Sequence, residues 1–136
     1  MYYGALEAGG TKMVCAIGDA DKNIIDRISI PTGTPDQSLP AMIDYFKKYD
    51  ISALGIGTFG PADINPNSPT YGSIMRSPKK DWEGFSLYKA FTDALGCLVV
   101  VDTDVNAAAW GEYLYGALKG LNSGMYLTVG TGIGGG

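Results

Sequence analysis

Tyr3-Gly4-Ala5-Leu6-Glu7-Ala8-Gly9-Gly10-Thr11-Lys12-Met13-Val14-Cys15-Ala16-Ile17 sets the fold class, because it is two short apolar runs joined at a Gly-Gly turn. Tyr3 to Leu6 and Met13 to Ile17 read as strands, and Asn23 to Ile30 reads as a third after the turn Gly18-Asp19-Ala20-Asp21-Lys22. A three-strand meander therefore opens the chain. In the second run Met13, Cys15 and Ile17 share one face and Val14 and Ala16 the other, apolar both ways. That pattern belongs to a strand covered on both sides, and it predicts a central position in the sheet.

Beyond the meander, helices begin to alternate with strands. Thr34-Pro35-Asp36-Gln37 carries a capping hydroxyl, a proline at the first helical position and a glutamine three residues on, and Leu39, Met42, Ile43 and Phe46 follow at helical spacing. Pro40 leaves the exact start of that helix open. Ile51 to Gly57 is a strand, followed by an irregular stretch from Thr58 to Trp82 that holds Pro61, Pro66, Pro69 and Pro78. Loops of this length in compact domains are either functional or disordered. Ser86 caps an amphipathic helix bearing Leu87, Ala90, Phe91, Ala94 and Leu95, and Gly96 stops it. Leu98 to Val101 is a buried strand, Asn106 to Leu118 a helix weakened by Gly111 and Gly116, and Met125 to Val129 the last strand. The sum is an α/β domain with a mixed sheet and no internal boundary.

Bulk properties narrow the function. The 136 residues suffice for one core, and fourteen acidic against ten basic residues, with no basic stripe, argue against nucleic-acid binding. No basic segment followed by a long apolar one opens the chain, and its longest strongly apolar run, Cys97 to Val101, is far too short to span a bilayer. The expectation is a soluble, cytoplasmic protein with no membrane partner. Cys15 and Cys97 sit among apolar neighbours and read as reduced core thiols. Histidine is absent, which leaves carboxylates as proton acceptors at neutral pH. Five of the last seven residues are glycine, so the chain is expected to be the front part of a longer protein, cut inside a functional loop.

Two glycine-threonine loops follow strand-like runs, Gly9-Gly10-Thr11-Lys12 and Gly130-Thr131-Gly132-Ile133-Gly134-Gly135-Gly136. Glycine lets a backbone approach an anion and aim its N–H groups, and threonine adds a hydroxyl, so the pair reads as a phosphate clamp. Alone, Gly9-Gly10-Thr11 reads equally well as a plain hairpin turn. Glu7 stands two residues before it, placed to hold a magnesium ion directly or through water, or merely solvated. Asp102-Thr103-Asp104-Val105-Asn106 ends a strand where open α/β sheets place ligands. One of its members caps the helix that follows, leaving another carboxylate to accept a proton from an attacking alcohol. Asn106 can donate and accept, which suits a sugar hydroxyl. Trp82 reads as a sugar platform or a packing anchor, and Lys79 and Lys80, taken alone, as solvated. Gly55-x-Gly57-x-x-Gly60 and Gly130-x-Gly132-x-x-Gly135 match the dinucleotide glycine pattern, but no helix follows either in the required place, and no P-loop pattern occurs.

Five segments in one order resemble the N-terminal half of ROK-family sugar kinases, bacterial fructokinases above all. They are Glu7-Ala8-Gly9-Gly10-Thr11-Lys12, Gly55-Ile56-Gly57-Thr58-Phe59-Gly60-Pro61, Arg76-Ser77-Pro78-Lys79-Lys80-Asp81-Trp82, Thr103-Asp104-Val105-Asn106-Ala107-Ala108-Ala109 and Gly130-Thr131-Gly132-Ile133-Gly134-Gly135. The resemblance implies an actin-like, ribonuclease-H-like N-terminal domain over residues 1–136, with a second domain absent from this chain. It also implies ATP-dependent transfer to the 6-hydroxyl of a hexose, D-fructose first. A glucokinase or mannokinase, a sugar-sensing ROK regulator and a non-catalytic binding module are the alternatives. Carried over by position, Asp104 matches the catalytic base. Gly9, Gly10, Thr11, Lys12, Thr131 and Gly132 fall in the phosphate loops, and Gly60, Pro61, Lys79 and Asn106 match sugar-side positions. Glu7, where the wider family has aspartate, and Lys79, where many glucokinases have asparagine, point to the fructokinase branch. The resemblance further implies ATP and Mg2+, a homodimer when complete, and a structural zinc whose ligands lie outside this chain. The isolated residues are expected to be inactive, because clamping a phosphoryl group needs both walls of a cleft.

Overall fold

The computed structural model describes residues 1–130 and 132–136. Its meander is β1 (Tyr2–Ala8), β2 (Lys12–Asp19) and β3 (Ile24–Pro31), followed by α1 (Pro35–Lys47), β4 (Ile51–Thr58), α2 (Leu87–Leu95), β5 (Leu98–Thr103) and α3 (Asp104–Tyr115). β6 (Leu127–Val129) and β7 (Ile133–Gly135) close the chain. The first five strands form one sheet in the order β3-β2-β1-β4-β5. The meander pairs antiparallel, whereas β1 with β4 and β4 with β5 pair parallel, giving the mixed sheet expected of the sequence.

β1, not β2, occupies the centre. β2 lies inside the sheet and is buried or half-buried on both faces from Met13 to Ile17, but the parallel strands add on the far side of β1 and shift the middle by one. The last strand also departs from expectation. It is shorter than Met125 to Val129 and does not join the main sheet; it pairs with β7, which lies within the glycine-rich loop itself.

Helix ends follow local chemistry. The Gln37 side-chain oxygen accepts the Thr34 N–H at 3.0 Å, which fixes the entry to α1, and Pro40 is accommodated inside that helix. Ser86 Oγ accepts the Lys89 N–H at 3.1 Å at the start of α2, and Gly96 ends it in the left-handed region at φ 65°. α1 and α2 cover one face of the sheet. Under them Met13, Cys15 and Ile17 of β2, Leu54 and Ile56 of β4, and Val99 and Val101 of β5 meet Met42, Phe46, Leu87 and Phe91. Phe46 and Phe91 pack edge to face at 6.1 Å. Cys15 and Cys97 are free thiols, and burial pushes Cys15 up to about 12, so it stays protonated and inert. Trp82, in a single 3-10 turn over Lys80–Trp82, is buried, and its indole N–H donates to the Gly33 carbonyl at 2.9 Å. It is a packing anchor that ties the long loop to the start of α1.

Candidate active site

The carboxyl ends of β1, β4 and β5 and the β6–β7 hairpin converge on one cavity of about 680 Å³, lined by Gly10, Thr11, Phe59, Gly60, Thr103, Asp104, Val105 and, from the hairpin, Thr128, Gly130 and Gly132 to Gly135. Both glycine loops and Asp104 thus share one space. The sequence explains each wall. Gly9 N–H donates to the Lys12 carbonyl at 3.0 Å, and a Cβ at Gly9 would stand 2.6 Å from that oxygen, so only glycine closes the turn. Thr32 pins it, its hydroxyl donating to the Gly9 carbonyl at 2.8 Å. Phe59 N–H donates to the Ala8 carbonyl at 2.8 Å, which extends the β1–β4 pairing and sets Gly60 beside the first loop.

α3 starts two residues earlier than Asn106. Thr103 is its cap, with Oγ1 accepting the Asn106 N–H at 3.2 Å, and this resolves the choice among Asp102, Thr103 and Asp104. Both carboxylates are released from capping. Asp104 Oδ1 accepts the Val105 N–H at 2.9 Å, and among the described residues no donor is bonded to its other oxygen. Asp102 Oδ1 accepts the Thr103 N–H at 2.7 Å and the Asn106 side-chain amide at 2.8 Å. α3 can lie this close to the sheet because β4 offers Gly57, where an added Cβ would come within 3.0 Å of the Ala107 Cβ.

Asp104 also borders a second groove, of about 640 Å³, on the sheet face opposite α1 and α2, together with Glu7, Gly57, Asp102 and Trp110. Glu7 pairs with Gly57, and Gly57 with Asp102, so two carboxylates flank a position with no side chain. Asn106 lies elsewhere, lining a hollow of about 310 Å³ with Asp102, Trp110 and Tyr113. Lys12 is exposed and contributes its carbonyl to the turn. Lys79 is anchored through its N–H to Ser77 Oγ at 3.1 Å, and its Cε comes within 3.7 Å of where a Gly10 Cβ would sit. The Pro61 carbonyl accepts the Met75 N–H at 2.8 Å, holding the turn after Gly60. Thr131, expected in the second phosphate loop, lies outside the described residues. Two participants escaped sequence reasoning. Gly57 was visible only as part of a glycine pattern, and the Asp102–Asn106 bond only as an i, i+4 spacing across the start of a helix.

At the strand ends of this mixed α/β sheet two glycine hairpins and a carboxylate come together, where open α/β sheets place their ligands. Residues 3–136 match the model of the ROK family, and the chain belongs to that family. It is 46% identical over 136 residues to a fructokinase of Lactococcus lactis subsp. cremoris and 44% identical over 136 residues to a fructokinase of Pediococcus pentosaceus. Each alignment covers 100% of this chain but only 46% and 47% of those relatives, so the chain spans about half their length. In three dimensions it matches a ROK family glucokinase from Streptomyces griseus, solved in complex with glucose and AMPPNP, with a TM-score of 0.83 and 30% identity, over 99% of this chain and 43% of that one. The fold is accordingly the actin-like α/β fold of the ROK sugar kinases.

Proposed function

We propose that the protein carrying this chain is an ATP-dependent hexose kinase that converts D-fructose to fructose 6-phosphate, and that residues 1–136 are the N-terminal of two domains. The observation that carries this reading is the cavity shared by Asp104 and both glycine hairpins. The relatives named as fructokinases support fructose over glucose.

In this reading the sugar 6-hydroxyl gives its proton to Asp104 while its oxygen bonds to the γ-phosphorus of ATP. The bond from that phosphorus to the β–γ bridging oxygen breaks, and ADP leaves. Gly10 and Thr11 on one side and Gly132 on the other turn N–H groups to the phosphates, Gly9 closes the first turn through its bond to the Lys12 carbonyl, and Thr131 and Lys12 are assigned to the same phosphates. The Val105 N–H on Asp104 Oδ1 keeps that carboxylate in place, and Asp102 holds Asn106 by its amide, leaving the Asn106 oxygen to accept from a sugar hydroxyl. Gly60, Pro61 and Lys79 complete the sugar side.

Glu7, Asp102 and Asp104 border one groove, and one or two of these carboxylates would hold Mg2+ together with water and the substrate phosphates. When bound there it neutralises charge on the phosphates. Among the described residues no group of three or more His, Cys, Asp or Glu is placed to hold a metal ion. Nor, among those residues, is any helix long and apolar enough to cross a membrane. A homodimer acting in the cytoplasm completes the proposal for the whole protein.

The test is Asp104→Asn in the full-length protein. Turnover with fructose and ATP should fall by about 10²- to 10⁴-fold with little change in the KM for fructose, since only proton acceptance is lost. Unchanged turnover rejects Asp104 as the base, and a higher kcat/KM for glucose or mannose than for fructose rejects the substrate.

A further inference from the structure

β5 is an edge strand, and an edge strand leaves backbone N–H and C=O groups without a partner. At one place this edge is closed by a side chain. The Tyr71 hydroxyl accepts the Val101 N–H at 2.8 Å and donates to the Val101 carbonyl at 3.0 Å, so one oxygen does for Val101 what a neighbouring strand would do. Val101 is the last buried apolar residue of β5, three residues before Asp104. This end of the strand also pairs with β4, Gly57 with Asp102 and Thr58 with Thr103, and Asp102 and Thr103 bond to Asn106 of α3.

The chain is shaped to deliver that hydroxyl. Gly72 adopts φ +73°, and a Cβ there would collide with Tyr88 and stand 3.1 Å from Val101 Cγ2, so only glycine lets the segment press against both α2 and β5. The Tyr71 ring stacks edge-on against Tyr88 with centroids 5.0 Å apart. Asp63 organises the loop before it, accepting from Ser68 Oγ, from Thr70 Oγ1 at 2.6 Å and from the Asn65 N–H at 3.1 Å. The Asp63 carbonyl accepts the Gly72 N–H at 2.7 Å, and the Gly72 carbonyl accepts the Leu87 N–H at 3.0 Å. A run of short polar contacts thus leads from the loop through Tyr71 to the strand end that presents Asp104.

We propose that Tyr71 is a positioning residue for phosphoryl transfer: its hydroxyl fixes the end of β5 and, through it, the Asp104 carboxylate. The proposal rests on the kinase reading above. A misplacement of about 1 Å at a reacting group can cost about 10²-fold in rate, and a frayed edge strand gives a shift of that kind.

The experiment is Tyr71→Phe in the full-length protein, which keeps the ring and removes the oxygen, made both alone and together with Asp104→Asn. Expected are a fall in kcat of about 5- to 30-fold, KM for fructose and for ATP within about twofold, and no further fall when Asp104 is already asparagine. An unchanged kcat, a change confined to KM, or the same fold-loss with and without Asp104 overturns the proposal. If Asp104→Asn by itself leaves turnover intact, the kinase assignment of Asp104 fails, and the proposal with it. Amide exchange at Val101 in the unmodified protein supplies a readout that needs no variant. Protection comparable to that of the neighbouring buried strands supports the contact, and exchange as fast as at an open edge overturns it.

Discussion

The two faces of the sheet are built from alternate residues of the same strands and do opposite work. On one, Leu6, Ile56 and Val101 are buried under α1 and α2 with Phe46, Phe91 and Trp82. On the other, the residues that follow each of these, Glu7, Gly57 and Asp102, line a groove beside α3, a helix none of whose residues is fully buried. Side chains alternate along a strand, so a run of two residues can serve the core and the chemistry at once. Cohesion is concentrated on the first face. The second is free to carry carboxylates, gaps and polar helix ends because little of the stability depends on it.

The sharpest way to break this contrast is Phe46→Ala. Phe46 is fully buried between sheet and α2, and its truncation should lower the unfolding free energy by about 3–5 kcal/mol in a denaturant titration. A loss below about 1 kcal/mol would show that the covered face is not what holds the domain together. A smaller, local effect is expected on acidification. Hydrogen bonds from Ser68 and Thr70 hold the Asp63 carboxyl below the usual carboxylate range. Because the folded value is the lower one, the contribution of these bonds is complete above the unfolded value of about 3.9 and is lost as pH falls through the folded value. Amide exchange between residues 63 and 73 should therefore quicken below about pH 4, relative to the intrinsic rate, while the Leu54 and Ile56 amides stay protected, and Asp63→Asn should remove the pH dependence. The smallest effect is assigned to Val100→Thr on the opposite face, where Val100 is 53% exposed. Unfolding should shift by no more than about 0.5 kcal/mol; a loss above 1 would reveal something covering that surface.

Much of this division was legible in the residues. The meander, the capped starts at Thr34 and Ser86, the stop at Gly96 and the strand over Leu98 to Val101 all follow from periodicity and end chemistry, which are local, although that strand is buried on one face only, with Leu98 and Val100 exposed on the other. The five ordered motifs were enough for the fold family, since they carry backbone constraints that few other sequences meet together. What stayed hidden was set by distant parts of the chain. The central place of β1 depends on β4 arriving in parallel across 50 residues of sequence, and nothing within β2 reveals it. β7 is mostly glycine, which has no strand propensity, and it pairs only because β6 supplies backbone partners. Thr103 prevailed over the flanking aspartates as a cap, a competition that composition leaves undecided. The bond from Tyr71 to Val101 joins residues 30 apart and has no sequence signature at all.

Gly57 sets a limit on how this domain can vary. With the Ala107 Cβ 3.0 Å from the place any larger residue would fill, even one added carbon requires the helix that starts at Asp104 to give way. Variation in what the protein accepts as substrate is therefore easier through the long loop and the hairpin than through the strand beneath, where a change in side-chain volume becomes a tilt of the helix and a displaced acid.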